Sequence, residues 1–347
     1  MKTETTTIKQ ALAMLFTHKY ASLLLVFATL TACDSFDRSP YLKITFEKKA
    51  AMPSGGLSSA VSFVIKDKAY IALGRNNGLQ NKCYQYNPET DSWSEVSPFP
   101  GTARVNASAA TIGNVAFVGL GYNSNVGVYN ENGILRDFWK YNPALDQWTR
   151  LADFPASSTN KCICFTFDDK IFVGFGFSGY KFEHDMWTYD PKADQWAELP
   201  KNRVPARSGA AACINSEFLF MGTGYDTHTL KDWWRYNPRN NKWVEMRSIP
   251  GTGRITAVAF SVNERIFVST GRLFKGDLTG GHLKDDVLEY DIRQNTWYCR
   301  GEVPGGGREN AISFVVDGKV YIGLGENEDG VLNDLWLMND FNSYSSN

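Results

Sequence analysis

The stretch DFWKYNP at residues 137–143, followed by Trp148, decides the fold of this chain. It predicts a strand rich in aromatic residues, an Asn-Pro turn, and a second strand that carries the tryptophan. The same order of tyrosine, turn and tryptophan occurs five times, always seven residues apart: Tyr86 to Trp93, Tyr141 to Trp148, Tyr189 to Trp196, Tyr236 to Trp243 and Tyr290 to Trp297. Successive tryptophans are 47 to 55 residues apart, which indicates repeats of about 50 residues.

A second signature, an apolar run that ends in Gly-x-Gly or a close variant, occurs six times. The six trios are Ala72-Leu73-Gly74, Gly119-Leu120-Gly121, Gly174-Phe175-Gly176, Gly222-Thr223-Gly224, Ser269-Thr270-Gly271 and Gly323-Leu324-Gly325. Before the last trio, apolar runs at 311–316 and 319–323 flank Asp317-Gly318, which predicts a hairpin. Each repeat therefore predicts four antiparallel strands. Such units bury both faces only by stacking radially, as the blades of a β-propeller.

The number of blades follows from the length of the chain. The residues from Cys33 onward accommodate six units of about 51 residues, and the sixth unit ends at its third strand, residues 334–338. The segment 41–47 stands alone before the first repeat and alternates as a strand does. We expect it to supply the missing outer strand. The prediction is an all-β, six-bladed propeller over 41–341, with 342–347 as a C-terminal tail.

These motifs resemble Kelch repeats, particularly those of bacterial lipoproteins, over nearly the whole of 41–340. The departures weaken single repeats and not the architecture. They are Lys82 where the other repeats have Asp, Ile292 for Pro, and Ala72 and Ser269 for the first glycine.

The N-terminus predicts export. Basic residues precede the apolar run 21–32, whose twelve residues are too few to cross a hydrocarbon core, which needs about 20. Leu30-Thr31-Ala32-Cys33 resembles a bacterial lipobox, in which the cysteine is lipidated; an ordinary signal peptide is the alternative. We therefore expect a signal peptide at 1–32, lipidation at Cys33, a tether at 33–40, and anchoring at the outer membrane of a bacterial envelope, on its periplasmic or outer side.

Charge and cysteine content narrow the functional classes. Lys and Arg number 36 against 37 Asp and Glu, and this balance argues against nucleic-acid binding. The cysteines after Cys33 are too sparse for a disulfide scaffold and lack zinc spacing. We expect the five cysteines after Cys33 to be free thiols, although one disulfide among them remains open: Cys83, Cys162, Cys164, Cys213 and Cys299. Cys162 and Cys164 are assigned to opposite faces of one inner strand.

The resemblance to Kelch propellers implies that partners bind on one face, where the loops into the innermost strands meet the loops between second and third strands. We call this end of the central channel the mouth. Four arginines share one register there, each 15 residues before its trio: Arg104, Arg207, Arg254 and Arg308. The position after each trio holds Arg75, Tyr122, Phe177, Tyr225, Arg272 and Glu326. An arginine- and aromatic-lined funnel would suit an anionic group. The alternative is that each arginine bonds carbonyls at its own blade tip.

Three functions remain open. The first is a lipid-anchored, monomeric binding module for a protein or a glycan, without cofactor or metal. The second is implied by the resemblance to bacterial sialic-acid mutarotases, which are similar propellers: a mutarotase or epimerase of an acidic sugar such as sialic acid, with Glu309 or Glu326 as the acid–base group beside Arg308. Both depend on the four arginines converging on the mouth. The third is a structural subunit of an envelope complex. A copper site resembling that of galactose oxidase is disfavoured, since the matching Cys-Tyr partner set is missing beside His184, His228 and His282.

Overall fold

The computed structural model describes residues 44–126, 133–156, 159–274 and 281–339. The predicted signal peptide, Cys33, the whole tether and the C-terminal tail lie outside these ranges. Nowhere in the described part is there a helix with the length and apolarity needed to cross a membrane. The described strands form six four-stranded antiparallel sheets, which confirms the six-bladed propeller.

The first five blades each consist of four consecutive long strands, ordered from the axis outward. Blades 1 to 3 are β2 (Val61–Ile65), β3 (Lys68–Ala72), β4 (Cys83–Asn87), β5 (Ser92–Val96); β6 (Ser108–Ile112), β7 (Val115–Gly119), β8 (Phe138–Asn142), β9 (Gln147–Arg150); β10 (Ile163–Phe167), β11 (Lys170–Gly174), β12 (Met186–Asp190), β13 (Gln195–Glu198). Blades 4 and 5 are β14 (Ala211–Ile214), β15 (Leu219–Gly222), β16 (Trp233–Asn237), β17 (Lys242–Met246); β18 (Val258–Val262), β19 (Arg265–Ser269), β22 (Asp286–Asp291), β23 (Thr296–Glu302).

Blade 6 is closed by the N-terminal strand, as predicted. Its order is β24 (Ile312–Val316), β25 (Lys319–Gly323), β28 (Leu335–Asn339) and β1 (Thr45–Lys49), with Phe46 opposite Met338. The strand lies a little later than the predicted segment 41–47. The described loops at the mouth contain a 3-10 turn at Ser124–Val126 and two short hairpins. The hairpins pair β20 (Arg272–Leu273) with β21 (His282–Leu283), and β26 (Glu326–Asn327) with β27 (Gly330–Val331).

The core lies between blades. Tyr141 and Trp148, which are partners across β8 and β9, pack with Phe63, Tyr70 and neighbours on blade 1. Equivalent aromatic pairs join the other blades, and their tyrosines are almost completely buried: Tyr86, Tyr141, Tyr189, Tyr236 and Tyr290. The repeated aromatic residues are therefore blade-packing residues.

The trio glycines allow neighbouring blades to approach. Gly74 has a φ of +88°, and a Cβ there would lie 2.7 Å from the carbonyl oxygen of Ser58. Its amide donates to the carbonyl of Arg104 in the next blade at 2.9 Å. The last glycine of every trio makes the corresponding bond to the next blade. Glycine is needed at this position because the backbone is left-handed and another chain segment is in contact.

Small side chains line the central channel. The innermost strands present alternate residues to it, including Ser62, Ala109, Cys164, Ala212 and Ser313. Cys162 and Cys164 both line the channel, so their assignment to opposite faces was wrong, because residues two apart on a strand share a face. Free thiols are found at Cys83, Cys162, Cys164 and Cys213; Cys299 is not among them.

Candidate functional site

The four arginines in register do not line the mouth. Arg104 is fully buried and binds Asp137 through two parallel hydrogen bonds of 2.7 and 2.8 Å. It also donates to the carbonyl of Leu120, the middle residue of its trio. The same arrangement recurs in three further blades: Arg207 with Asp232, Arg254 with Asp286, and Arg308 with Asp334. The expectation that these arginines contact a ligand is therefore corrected, because their donors are used inside the blade.

The two blades without this arginine differ in their partners as well. In blade 1, Leu57 occupies the arginine position and Lys82 the aspartate position. In blade 3, Thr159 donates to the carbonyl of Phe175 and so replaces one arginine bond, while Asp185 pairs with Lys201. These substitutions avoid leaving an unpaired charge at the blade tip, which indicates a structural role for the pairs.

A ring of six residues surrounds the axis at the mouth. Each lies two positions after the arginine register and has a left-handed backbone, with φ between 50° and 65°: Ser59, Asn106, Lys161, Gly209, Thr256 and Asn310. Backbone amides link neighbours around this ring, for example Gly209 N to the carbonyl of Lys161 at 2.9 Å. We call it the neck. Five of its members have short side chains or none, and the sixth is lysine.

Lys161 is the charged member of the neck and belongs to blade 3. Its charge interacts with Glu309 and Glu326, which belong to blade 6 on the opposite side of the ring. Burial lowers the pKa of its ammonium group; the two glutamates oppose this effect and Arg75 adds to it. Among the described residues, no carboxylate lies within ion-pair distance of Lys161 Nζ. The two glutamates pair with arginines instead, Glu326 with Arg75 and Glu309 with Arg272. Lys161 therefore has hydrogen-bond donors to offer a ligand.

Both glutamates considered as acid–base groups are held by arginines. Glu326 accepts bonds of 2.6 and 2.8 Å from Arg75 Nη2 and one of 2.8 Å from Asn310. Burial alone would raise the pKa of Glu326, but Asn310 and Arg75 outweigh it and hold that pKa below its ordinary value. Glu309 binds Arg272 at 2.6 Å. The contacts from Arg75 and Asn310 therefore favour the ionised carboxylate of Glu326.

Aromatic side chains form one half of the mouth. Phe177 and Phe182 of blade 3, Tyr225 of blade 4 and Phe274 of blade 5 follow one another with ring centroids 5.1, 5.9 and 6.1 Å apart. With Lys161 they line a cavity of about 440 Å³, which we call the aromatic cavity. Tyr225 is thus placed as predicted. Tyr122 is not, because it is buried against Val105 and Ile134.

Polar side chains form the other half. A second cavity of about 440 Å³, the polar cavity, is lined by residues of blades 6, 1 and 2. Arg75 and Glu326 form one wall, and Asn76, Asn77 and Asn125 contribute amides. Arg75 leaves about half of its side chain exposed, whereas Arg272 is nearly buried between Glu309 and Glu328. Of the two rim arginines, Arg75 is the one accessible from the mouth.

Sequence reasoning missed Lys161, Phe182 and Phe274. A signal for Lys161 was available, because the neck register holds serine, asparagine, glycine or threonine in the other blades. A lysine with a left-handed backbone is costly by about 1 kcal/mol and is an exception in that series. The two phenylalanines lie in loops that differ between repeats, so no register marked them.

Three comparisons place the chain among known proteins. A model of the KLHDC2/KLHL20/DRC7 Kelch-repeats domain matches residues 59–271. An N-acetylneuraminate epimerase of Pasteurella multocida (strain Pm70) is 29% identical over 106 residues, which are 30% of this chain and 27% of that protein. The chain thus matches about a quarter of that relative's length. The solved structure of YjhT superposes with a TM-score of 0.74 at 19% identity, covering 85% of this chain and 98% of that one, and shows the shared fold.

Proposed function

The chain belongs to the Kelch-repeat family, and on that premise we propose that it is a binding module whose mouth takes an acidic sugar or a glycan that carries one. The observation that supports this most is the juxtaposition of Lys161 with the aromatic cavity. The ammonium group offers donors for a carboxylate, and the aromatic rings offer an apolar surface for the sugar ring. The basis expected from the sequence, four arginines converging on the mouth, is not met, and the proposal depends on Lys161 in their place.

The electrostatics of the mouth favour an anion at Lys161. Arg75 and Arg272 are already paired with Glu326 and Glu309, which leaves Lys161 as the one of these three cations that has no ion-pair partner among the described residues. A bound carboxylate would also raise the pKa of the lysine towards its ordinary value, because an opposite charge favours the protonated form. Binding and protonation therefore support each other.

Calorimetric titration of the full chain with N-acetylneuraminate tests the proposal. Lys161→Met should weaken binding at least tenfold, as expected for loss of one charge-assisted hydrogen bond of about 1.5–3 kcal/mol. Lys242→Met, at an exposed position in β17, is the matched control and should bind as the wild type does. The methyl ester of the sugar should bind the wild type as weakly as the acid binds Lys161→Met. Equal affinity for acid and ester would contradict the proposal.

A second candidate function is an epimerase or mutarotase activity on an acidic sugar. The match to part of an N-acetylneuraminate epimerase favours it. In this alternative Lys161 replaces Glu309 and Glu326 as the acid–base group. Its neutral amine would accept the proton of the anomeric hydroxyl while the ring C–O bond breaks and the ring oxygen gains a proton from solvent. The reverse steps close the ring on the other face.

NMR exchange between sugar anomers, at protein concentrations far below the sugar, tests this activity. The enzyme hypothesis predicts acceleration that disappears in Lys161→Met and rises with pH as the amine loses its proton. The binding-module hypothesis predicts saturable binding without acceleration.

We further propose that the domain is carried to a bacterial envelope and anchored through a lipid on Cys33. The support is the lipobox-like sequence at 30–33. Metabolic labelling with a fatty acid should mark the wild-type chain and not Cys33→Ala, while an unlabelled wild-type chain cut before residue 33 would indicate an ordinary signal peptide.

A further inference from the structure

The mouth contains two cavities of equal volume on opposite sides of the axis. The aromatic cavity belongs to blades 3 to 5, and the polar cavity to blades 6, 1 and 2. Each has about 440 Å³, within the range of roughly 300–1,000 Å³ in which proteins hold one small ligand. A single sugar that binds in the aromatic cavity leaves the polar cavity to water.

Lys161 connects the two cavities. It lines the aromatic cavity and belongs to the neck, in which Asn310 donates at 2.8 Å to Glu326 in the wall of the polar cavity. The charge of Lys161 also interacts with Glu326 and Arg75. A ligand carboxylate bound to Lys161 would therefore lie at the boundary between them. The part of the ligand next to that carboxylate has room on either side.

The polar cavity has the chemistry expected for sugar hydroxyl groups. Arg75 uses Nη2 for Glu326, so that its other guanidinium nitrogens keep donors. Asn76 donates through Nδ2 to the carbonyl of Ser54 and keeps its Oδ1 acceptor. Asn77 is exposed, and its amide makes no hydrogen bond to any other described residue. No aromatic residue of the described chain lines this cavity. Leu79 and Val331 contribute apolar surface, and the hydrogen-bond donors and acceptors come from the arginine and the asparagines.

From this arrangement we propose that the polar cavity is a second sugar subsite, and that the ligand is an oligosaccharide in which a neutral sugar adjoins the acidic one. This inference rests on the proposed function, since it takes the acidic sugar to occupy Lys161 and the aromatic cavity. The neutral neighbour then extends over Arg75 and the two asparagines. The hydroxyl groups of this neighbour would replace water on Asn77 and on the free side of Arg75.

Calorimetry with two probes, N-acetylneuraminate and sialyllactose, tests the subsite on the full chain. The trisaccharide should bind the wild type at least tenfold more tightly than the monosaccharide. Asn77→Gly, which removes the amide but suits the φ of +52°, should abolish most of this gain and leave the affinity for the monosaccharide unchanged. The matched control is Asn263→Gly, another exposed asparagine with a left-handed backbone, in the hairpin turn between β18 and β19. It should change neither affinity.

The outcomes separate the two proposals. Equal, Lys161-dependent binding of both probes would overturn the second subsite and leave the acidic-sugar site intact. A gain for the trisaccharide that survives Asn77→Gly would place the extra contacts elsewhere and also overturn it. Failure of both probes to bind would contradict the proposed function, and the subsite with it.

Discussion

Arg104 and Asp137 illustrate how one buried ion pair organises a blade tip. The guanidinium group bridges the loop into β6, the trio carbonyl at Leu120 and the start of β8. Trp139 donates to the same carboxylate at 2.7 Å. The interaction fixes the loops that carry the mouth and contacts no ligand itself.

Removing the arginine alone should be costly. We expect Arg104→Leu to lower the free energy of unfolding by about 3–5 kcal/mol, because the Asp137 charge is left without its partner. The double variant Arg104→Leu/Asp137→Lys imitates blade 1, where Leu57 and Lys82 occupy these positions, and should recover at least about 1 kcal/mol. Urea unfolding measures both. A double variant no more stable than the single one would contradict the structural role.

Stability should fall in acid. Burial would raise the pKa of Asp137, but Arg104 outweighs it and holds that pKa below its ordinary value of 3.8. A carboxylate whose pKa is lower in the folded chain than in the unfolded chain stabilises the fold above the unfolded pKa. That contribution is lost as the pH falls from about 4 through the folded pKa. Urea unfolding between pH 5 and 2.5 should show this decline, with a shallower slope in Arg104→Leu/Asp137→Lys. Identical slopes would be evidence against it.

The position of these arginines in the repeat does not by itself reveal that they pair with aspartates. Their partners are 25 to 33 residues further along the chain. The recurring aspartates are visible in the sequence, but an aspartate at the start of a strand is commonly a turn residue, so the pattern does not identify them as arginine partners. Only the folded chain shows that the two registers meet.

At the scale of the strand pair, the outer hairpins join each blade to the one before. In blade 2, the carboxylate of Asp146 accepts hydrogen bonds from the hydroxyl of Tyr141 and the backbone amide of Ser97. Trp148 donates a hydrogen bond to the carbonyl of Ser97. Blades 1, 3 and 5 repeat this pattern. Each link satisfies groups that would otherwise be buried without a partner.

Blade 4 shows what happens when the donor is missing. Pro200 occupies the position of Ser97 and has no amide hydrogen. Asn241 stands where Asp146 stands in blade 2, and its amide donates to the Pro200 carbonyl at 3.2 Å. The indole nitrogen of Trp243 has no partner among the described residues.

A double-mutant cycle at this link should show strong coupling. Asn241→Asp alone is expected to cost about 1–3 kcal/mol, because the carboxylate oxygen that replaces Nδ2 would face the Pro200 carbonyl without a donor, while the Tyr236 hydroxyl still donates to the other oxygen. In Pro200→Ala/Asn241→Asp the restored amide should donate to the new carboxylate and free the carbonyl for Trp243. We expect the free energy of unfolding of this double variant, measured by chemical denaturation, to be at least that of Pro200→Ala. If the two changes are simply additive, the link does not act as described.

At the scale of the whole molecule, closure of the ring depends on β1. Ile44 is buried between blades 5 and 6, and β1 covers the edge of β28. Without it, β28 would present an open edge for association with other chains.

Two truncated chains test the closure. A chain beginning at residue 44 should unfold cooperatively and remain monomeric. A chain beginning at residue 50 should melt at a lower temperature and self-associate, since it loses about 2–3 kcal/mol from burial of Ile44 alone and the pairing of β28. Thermal unfolding and size-exclusion chromatography compare them. Equal melting temperatures and elution would show that β1 is dispensable.

The architecture could be predicted from the sequence because its signals are periodic. Trp148 and its counterparts mark the outer strands of the first five blades. The strand before the first repeat could then be assigned to the sixth blade, the one repeat that lacks an outer strand of its own. The mouth is different, since Lys161 and Phe274 occur once each and their position depends on loops that do not repeat. The proposed site is therefore formed by residues that depart from the repeat.

The most direct test of the acidic-sugar site is the NMR signal of Lys161 during titration with N-acetylneuraminate. Reductive methylation with carbon-13 labels each lysine, and loss of one signal in Lys161→Met assigns it. We expect this signal to titrate below the ordinary lysine range in the free protein, to shift saturably with the sugar, and then to titrate at higher pH. A Lys161 signal that titrates with the other lysines and ignores the sugar would contradict the proposed site.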